Sequence, residues 1–221
     1  MAPIQQSFYF FSRYGVTLTF LFALAGIAAE LISIHLAEGF NMEPLWADRV
    51  ASWIGTGLFE PLASGAAIYF IASRDKGEAL SVYDSLVKSL GVYTPMLIGY
   101  VATTFLVLFG LSLYIIPGIF FLYKLIFTEY FIILNEDDPM EAIKHSFDQT
   151  QGKTAALLPA FSLILVVLIG GGLLLDGMID SLGGSDGLRL FGALLEAPVL
   201  AFAVVVGFRL FSLTSSSKVG V

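Results

Sequence analysis

Six charged residues stand inside otherwise apolar runs, and apart from Arg209, close to the end of its run, they are Glu30, Glu60, Lys124, Glu129 and Glu196. A charge at the centre of a bilayer costs roughly 2.5 to 3.5 kcal/mol on insertion scales, so each such residue calls for a partner or a task. Counting about 1.5 Å of rise per residue from the outer ends of their runs, Glu30, Glu60, Lys124 and Glu196 fall in one layer, with Glu129 nearer the midplane. One lysine cannot neutralise the carboxylates around it. At least one carboxyl must be met by water, a proton, an external cation or a headgroup amine. One reading is a polar pocket, open to the outside, that binds a cationic or zwitterionic group or relays protons. The other is structural: each Glu snorkels, bonds beside a proline-freed backbone group, or locks helices by pairing with Lys124. Glu60 directly precedes Pro61 and Glu196 lies two before Pro198, which reads as placing both near helix N-termini, where an acid is favoured.

Other chemistry finds no residues to carry it. The chain has no Cys, hence no disulfide, Fe–S cluster or thiol nucleophile. His35 and His145 are expected on opposite sides of the membrane and cannot share a metal. Asp176, Asp180 and Asp186 invite comparison with the metal-binding aspartates of alcohol phosphotransferases, but their spacing is wrong and they are read as an outer loop. No HExxH, P-loop or intramembrane-protease context is present. The expectation is no catalytic set, no cofactor and no metal. A formal charge of -7, from 11 basic and 18 acidic residues, speaks against nucleic acid.

These residues must be positioned by elements that live in lipid. Of 221 residues, 57% are apolar and 13% charged, and the mean hydropathy is +0.86, well away from the balance of a soluble domain. A helix needs about 20 mainly apolar residues to cross the hydrocarbon core. Six windows qualify: 14–37, 53–73, 92–116, 118–134, 154–175 and 190–213. The fourth carries two charges, and Pro117-Gly118 reads as a tight turn between it and the third. The first run is too long for a signal h-region and is expected to stay. With the N-terminus inside, Arg13, Arg74, Lys76, Lys88, Lys144, Lys153 and Lys218 are internal and Arg209 is close to that side. Only Arg49 and Arg189 are external, so both termini are expected in the cytoplasm. Trp46 and Trp53 read as outer-interface anchors.

Two amphipathic stretches lie between spans on the cytoplasmic side, at about 78–90 and 139–150. In the first, Leu80, Tyr83, Val87 and Leu90 share a face; in the second, Met140, Ile143 and Phe147 do. Asp138 suits a cap, Pro139 the first helical position and Glu141 the acidic place of a capping box. Both stretches are expected in the headgroup plane. Glu78-Ala79, Asp84 and Pro95 repeat as Glu141-Ala142, Asp148 and Pro159, offset by 63 to 64 positions. Pro61, Pro117 and Pro198 are each followed by a basic residue, Arg74, Lys124 and Arg209. The sequence is therefore read as one all-α polytopic membrane domain over 1–221, with six transmembrane helices as three hairpins plus two amphipathic helices.

The segment LYIIPGIFFLYK at 113–124, the acidic turn after Leu134, and PMEAIKHSFDQTQG at 139–152 together resemble YciC-like bacterial inner-membrane proteins. A related pattern occurs in the membrane domains attached to some glycerophosphodiester phosphodiesterases. Residues 7–13 and 207–211 fit the same pattern, so the resemblance covers nearly the whole chain. It implies a polytopic inner-membrane protein with no catalytic residues to carry over, and a basic residue at Lys124's position. The phosphodiesterase's catalytic domain has no counterpart here. The expected function is a non-enzymatic envelope module that interacts with membrane lipids or partner membrane proteins, with oligomers open. The alternative is a small proton- or cation-coupled transporter with a carboxylate-lined pocket.

Overall fold

Long apolar runs can satisfy their backbone groups in lipid only as helices or closed barrels, and this chain takes the helical route. The computed structural model describes residues 3–216; Lys218 lies outside them. Among the described residues there are nine α-helices and no strand: α1 (Pro3–Gly39), α2 (Pro44–Asp75), α3 (Val82–Gly91), α4 (Tyr93–Leu113), α5 (Ile115–Leu125), α6 (Thr128–Leu134), α7 (Pro139–Thr150), α8 (Thr154–Ser181) and α9 (Asp186–Ser216). Six segments are long and apolar enough to cross a membrane, the fourth being α5 and α6 taken together over Ile115–Leu134. The protein is thus an all-α, multi-pass membrane protein.

Several helices run beyond their sequence windows, because the windows measure hydrocarbon thickness and a helix need not stop at its edge. α8 continues to Ser181, so Asp176 and Asp180 are helical rather than in a loop. α2 and α9 run straight through Pro61 and Pro198. Glu60 and Glu196 are consequently helix-interior residues, not N-terminal ones. A proline is tolerated inside a membrane helix when neighbouring side chains cover the loosened backbone. Here Tyr93 Oη donates to Leu58 O (2.8 Å), in the turn that Pro61 loosens, while Ser89 Oγ donates to Leu62 O (2.9 Å), just beyond the proline.

The reversal after α4 comes at Tyr114, in extended backbone (φ -173°, ψ 163°), and not at Pro117-Gly118. Pro117 sits in the first turn of α5, where a missing N–H costs nothing. Gly118 and Gly110 instead allow α4 and α5 to touch: a Cβ on Gly118 would run into Leu111, and one on Gly110 would lie 2.9 Å from Pro117 O.

α1 lies between α2 and α9 and packs along both. Small residues permit this, as in many membrane helix pairs. Gly55 of α2 lies directly against Ala29 O and Ser33 Oγ of α1, and a Cβ at Gly26 would stand 3.3 Å from Ala193 Cβ of α9. Leu18, Ile68, Met96, Phe127, Ile132 and Val205 fill the core, while Phe105 of α4 and Val166 and Leu174 of α8 face outward. α8 packs chiefly on α9.

The two short helices bury their small polar faces. Ser85 and Ser89 of α3 and Ala142 and Ser146 of α7 are fully buried, whereas Tyr83, Val87, Leu90 and Met140 are exposed. Ser81 caps α3 by accepting from Asp84 N, and Asp138 caps α7 by accepting from Met140 N. The first helix thus starts at Val82, after Gly77 turns the chain at φ +78°, and not at 78. Glu78 lies before its helix and Glu141 inside its own. The structural equivalence therefore runs cap to cap, from Ser81 to Asp138, and departs from the 63-residue offset.

Candidate functional site

Where α1 ends and α2 begins, α1, α2, α8 and α9 enclose a cavity of about 410 Å³, within the range of small-ligand sites. Glu30 comes from α1, Asp48 and Glu60 from α2, Asp176 and Asp180 from α8, and Glu196 from α9; Arg49 and Arg189 are the basic residues of the lining. Six carboxylates therefore face two guanidiniums, and a cleft so lined concentrates cations. The close approach of α1 to α9 at Gly26, which also lines the cavity, brings Glu30 and Glu196 to the same space.

Local pairing divides the carboxylates. Arg189, in the first turn of α9, donates from Nε to Glu30 Oε1 at 2.5 Å and from Nη1 to Asp48 Oδ1 at 3.4 Å. The Arg189 and Glu30 side chains are only 20% and 15% exposed. Arg49 lies 3.8 Å from Asp176, with both side chains well exposed, an arrangement that contributes little. Glu60 accepts from the phenol of Tyr100 on α4 at 3.2 Å, so it reaches the cavity on one side and α4 on the other. Among the described residues, nothing donates a hydrogen bond to Glu196, which is half-buried, or to Asp180, at the exposed rim.

Three of the five ionisable residues singled out in the sequence, Glu30, Glu60 and Glu196, meet in this cavity. Lys124 and Glu129 do not. Lys124 Nζ donates to Phe147 O of α7 at 3.4 Å and lies over the rings of Phe120, Tyr123 and Phe147. Lys124 therefore does not join the three glutamates in the cavity: counting residues gives height along a helix but not the face, and this face of α5 turns to α7. Glu129 accepts from the hydroxyl of Ser64, one turn along α2 from Glu60. His145 pairs with Asp137 at 2.6 Å and His35 is exposed.

The spacing of Asp176 and Asp180, four apart and so on one helical face, was the signal that could have found them once the end of α8 was extended. Arg189, 159 positions from Glu30, left no sequence signal of its pairing.

A second polar device lies at the break between α5 and α6. The α5 ladder ends at Leu125, leaving backbone groups that lipid cannot satisfy. Ser146 of α7 serves both sides of the gap, accepting from Phe127 N (3.1 Å) and donating to Lys124 O (2.7 Å). Ala142, one turn earlier and fully buried, lets α7 approach this closely.

Compared with known proteins, the chain has no significant match to a family profile, a characterised sequence or a solved structure. The functional reading rests on the residues themselves.

Proposed function

We propose that this chain is a non-enzymatic, multi-pass protein of the bacterial inner membrane, related to the YciC-like proteins. It interacts with lipids or partner membrane proteins by accepting a cationic group in the acidic cavity. The observation that carries the reading is the charge of that cavity, six carboxylates against two guanidiniums, with Glu196 lacking a donor among the described residues. In this reading the six crossings form three hairpins with both termini in the cytoplasm, and the cavity opens outward. The lysine and arginine bias supports that orientation. α3 and α7 lie at the inner interface with their exposed apolar residues in lipid.

The test is calorimetric titration of ethanolammonium into the protein held in nanodiscs of phosphatidylglycerol, which lacks amines. The reading expects saturable binding, weakened at least tenfold by Glu196→Gln in a variant that unfolds at the wild-type temperature. Absence of saturable binding overturns it.

One arrangement favours the second reading, a proton- or cation-coupled transporter. Glu60, Ser64 and Glu129 form a polar line from the cavity toward α6, of the kind that proton relays use. Coupled flux in liposomes that Glu60→Gln abolishes would establish it; flux equal to that of empty liposomes removes it.

A further inference from the structure

Farther along α8 and α9 from the acidic cavity lies a second pocket, wholly apolar. α9 presents Glu196 and Leu200 to the cavity and, within the next turns, Val199, Ala203 and Val206 to this pocket of about 210 Å³. Phe8 of α1 and Leu163 and Val167 of α8 form its other walls, and no polar residue lines it. Between the two, α8 carries Gly170-Gly171-Gly172. A Cβ at Gly172 would stand 3.7 Å from Glu196 Oε1, and one at Gly170 or Gly171 would meet nothing within 4 Å. The middle of α8 thus leaves open the space that side chains would take. From Glu196 to Val206 the rise along α9 is about 15 Å, within the reach of one acyl chain.

We infer that this crevice holds one aminophospholipid, with its ammonium group among Glu196, Asp180 and Glu60, its phosphate toward Arg49 and Arg189, and an acyl chain running past the glycines into the apolar pocket. The inference rests on the cavity being a cation site, and it names the occupant. A free cation would leave the apolar pocket unexplained. A lipid whose headgroup is only anionic meets six carboxylates and two guanidiniums, the wrong balance. A primary ammonium brings three N–H donors, which Glu196 and Asp180 lack among the described residues, whereas a quaternary headgroup brings none. The zwitterion also uses both signs of charge in the lining.

The experiment is native mass spectrometry of the full chain after equilibration with equal amounts of phosphatidylethanolamine, phosphatidylcholine and phosphatidylglycerol. Phosphatidylethanolamine should be retained at least tenfold over each of the others. Ala203→Trp, and independently Val167→Trp from the α8 wall, fill the apolar pocket without touching a charge. Each should lower that retention at least tenfold and leave the ethanolammonium titration unchanged. Glu196→Gln should lower both. Ethanolammonium binding without lipid selectivity overturns the lipid assignment and leaves the cation site standing. Equal retention of phosphatidylcholine overturns the primary-ammonium assignment. Loss of both signals in the wild-type protein overturns both readings.

Discussion

Arg189 and Glu30 meet at 2.5 Å across 159 positions of sequence and tie the first turn of α9 to α1 at the wall of the acidic cavity. With both side chains largely buried, the pair holds two of the cavity's four helices in register. Removing Arg189 leaves the largely buried Glu30 without its counter-ion, whereas Arg189 keeps Asp48 when Glu30 is removed. Arg189→Gln should therefore destabilise the protein by about 1–3 kcal/mol. Thermal unfolding in detergent measures this, and Glu30→Gln/Arg189→Gln together should recover part of the loss. A double variant no more stable than either single one would show that the pair is not the tie.

Glu196 should behave in the opposite way. With no donor to it among the described residues, Glu196→Gln removes a charge without breaking a bond, and the unfolding midpoint should be unchanged or raised. A drop like that of Arg189→Gln would assign Glu196 a structural partner.

Ser146 covers two backbone groups at the break between α5 and α6, whereas Ser89 donates to Leu62 O, inside the continuous helix α2. Ser146→Ala should cost about 1–2 kcal/mol, and Ser89→Ala distinctly less. Equal effects in the same unfolding assay would contradict the assignment of Ser146 as the cover for the break.

Glycines of similar sequence context should differ sharply. Gly55→Ala drives a methyl into Ala29 O and Ser33 Oγ of α1 and should destabilise by about 1–3 kcal/mol. Gly170→Ala meets nothing within 4 Å and should be neutral or stabilising, since Ala favours a helix over Gly. Differential scanning calorimetry of the two variants decides it, and a neutral Gly55→Ala would mean that α1 and α2 do not approach so closely.

The spans were legible because lipid imposes a length and an apolar composition on every crossing. Their ends were not, since α1, α2, α8 and α9 continue past the hydrocarbon. The reversal at Tyr114 was not legible because Pro117 serves equally well in a turn and in a helix's first turn. Glu30, Glu60 and Glu196 were legible as charges in apolar runs, and the structure gathers them. Lys124 had the same signature, yet its place was decided by rotation about α5, which depth cannot supply. Asp176 and Asp180 were hidden by an early helix end, and the Arg189 pair by its long range. The polar faces of α3 and α7 turn inward because Ser89 and Ser146 donate there to backbone carbonyls of α2 and α5.

The acidity of the cavity and its proposed opening to the outside can be measured directly, because the chain has no Cys. Ser52 lines the cavity without carrying charge, and Asn41 lies exposed in the loop before α2. Ser52→Cys and Asn41→Cys can each be reacted, in intact cells, with membrane-impermeant methanethiosulfonates of positive and negative charge. A cleft lined by one sign of charge raises local counter-ion concentration by roughly 10-fold or more. The cationic reagent should be favoured at Ser52→Cys at least tenfold more than at Asn41→Cys. Equal preference at the two sites, or labelling of Ser52→Cys only after the cells are opened, would contradict an acidic cavity open to the outside.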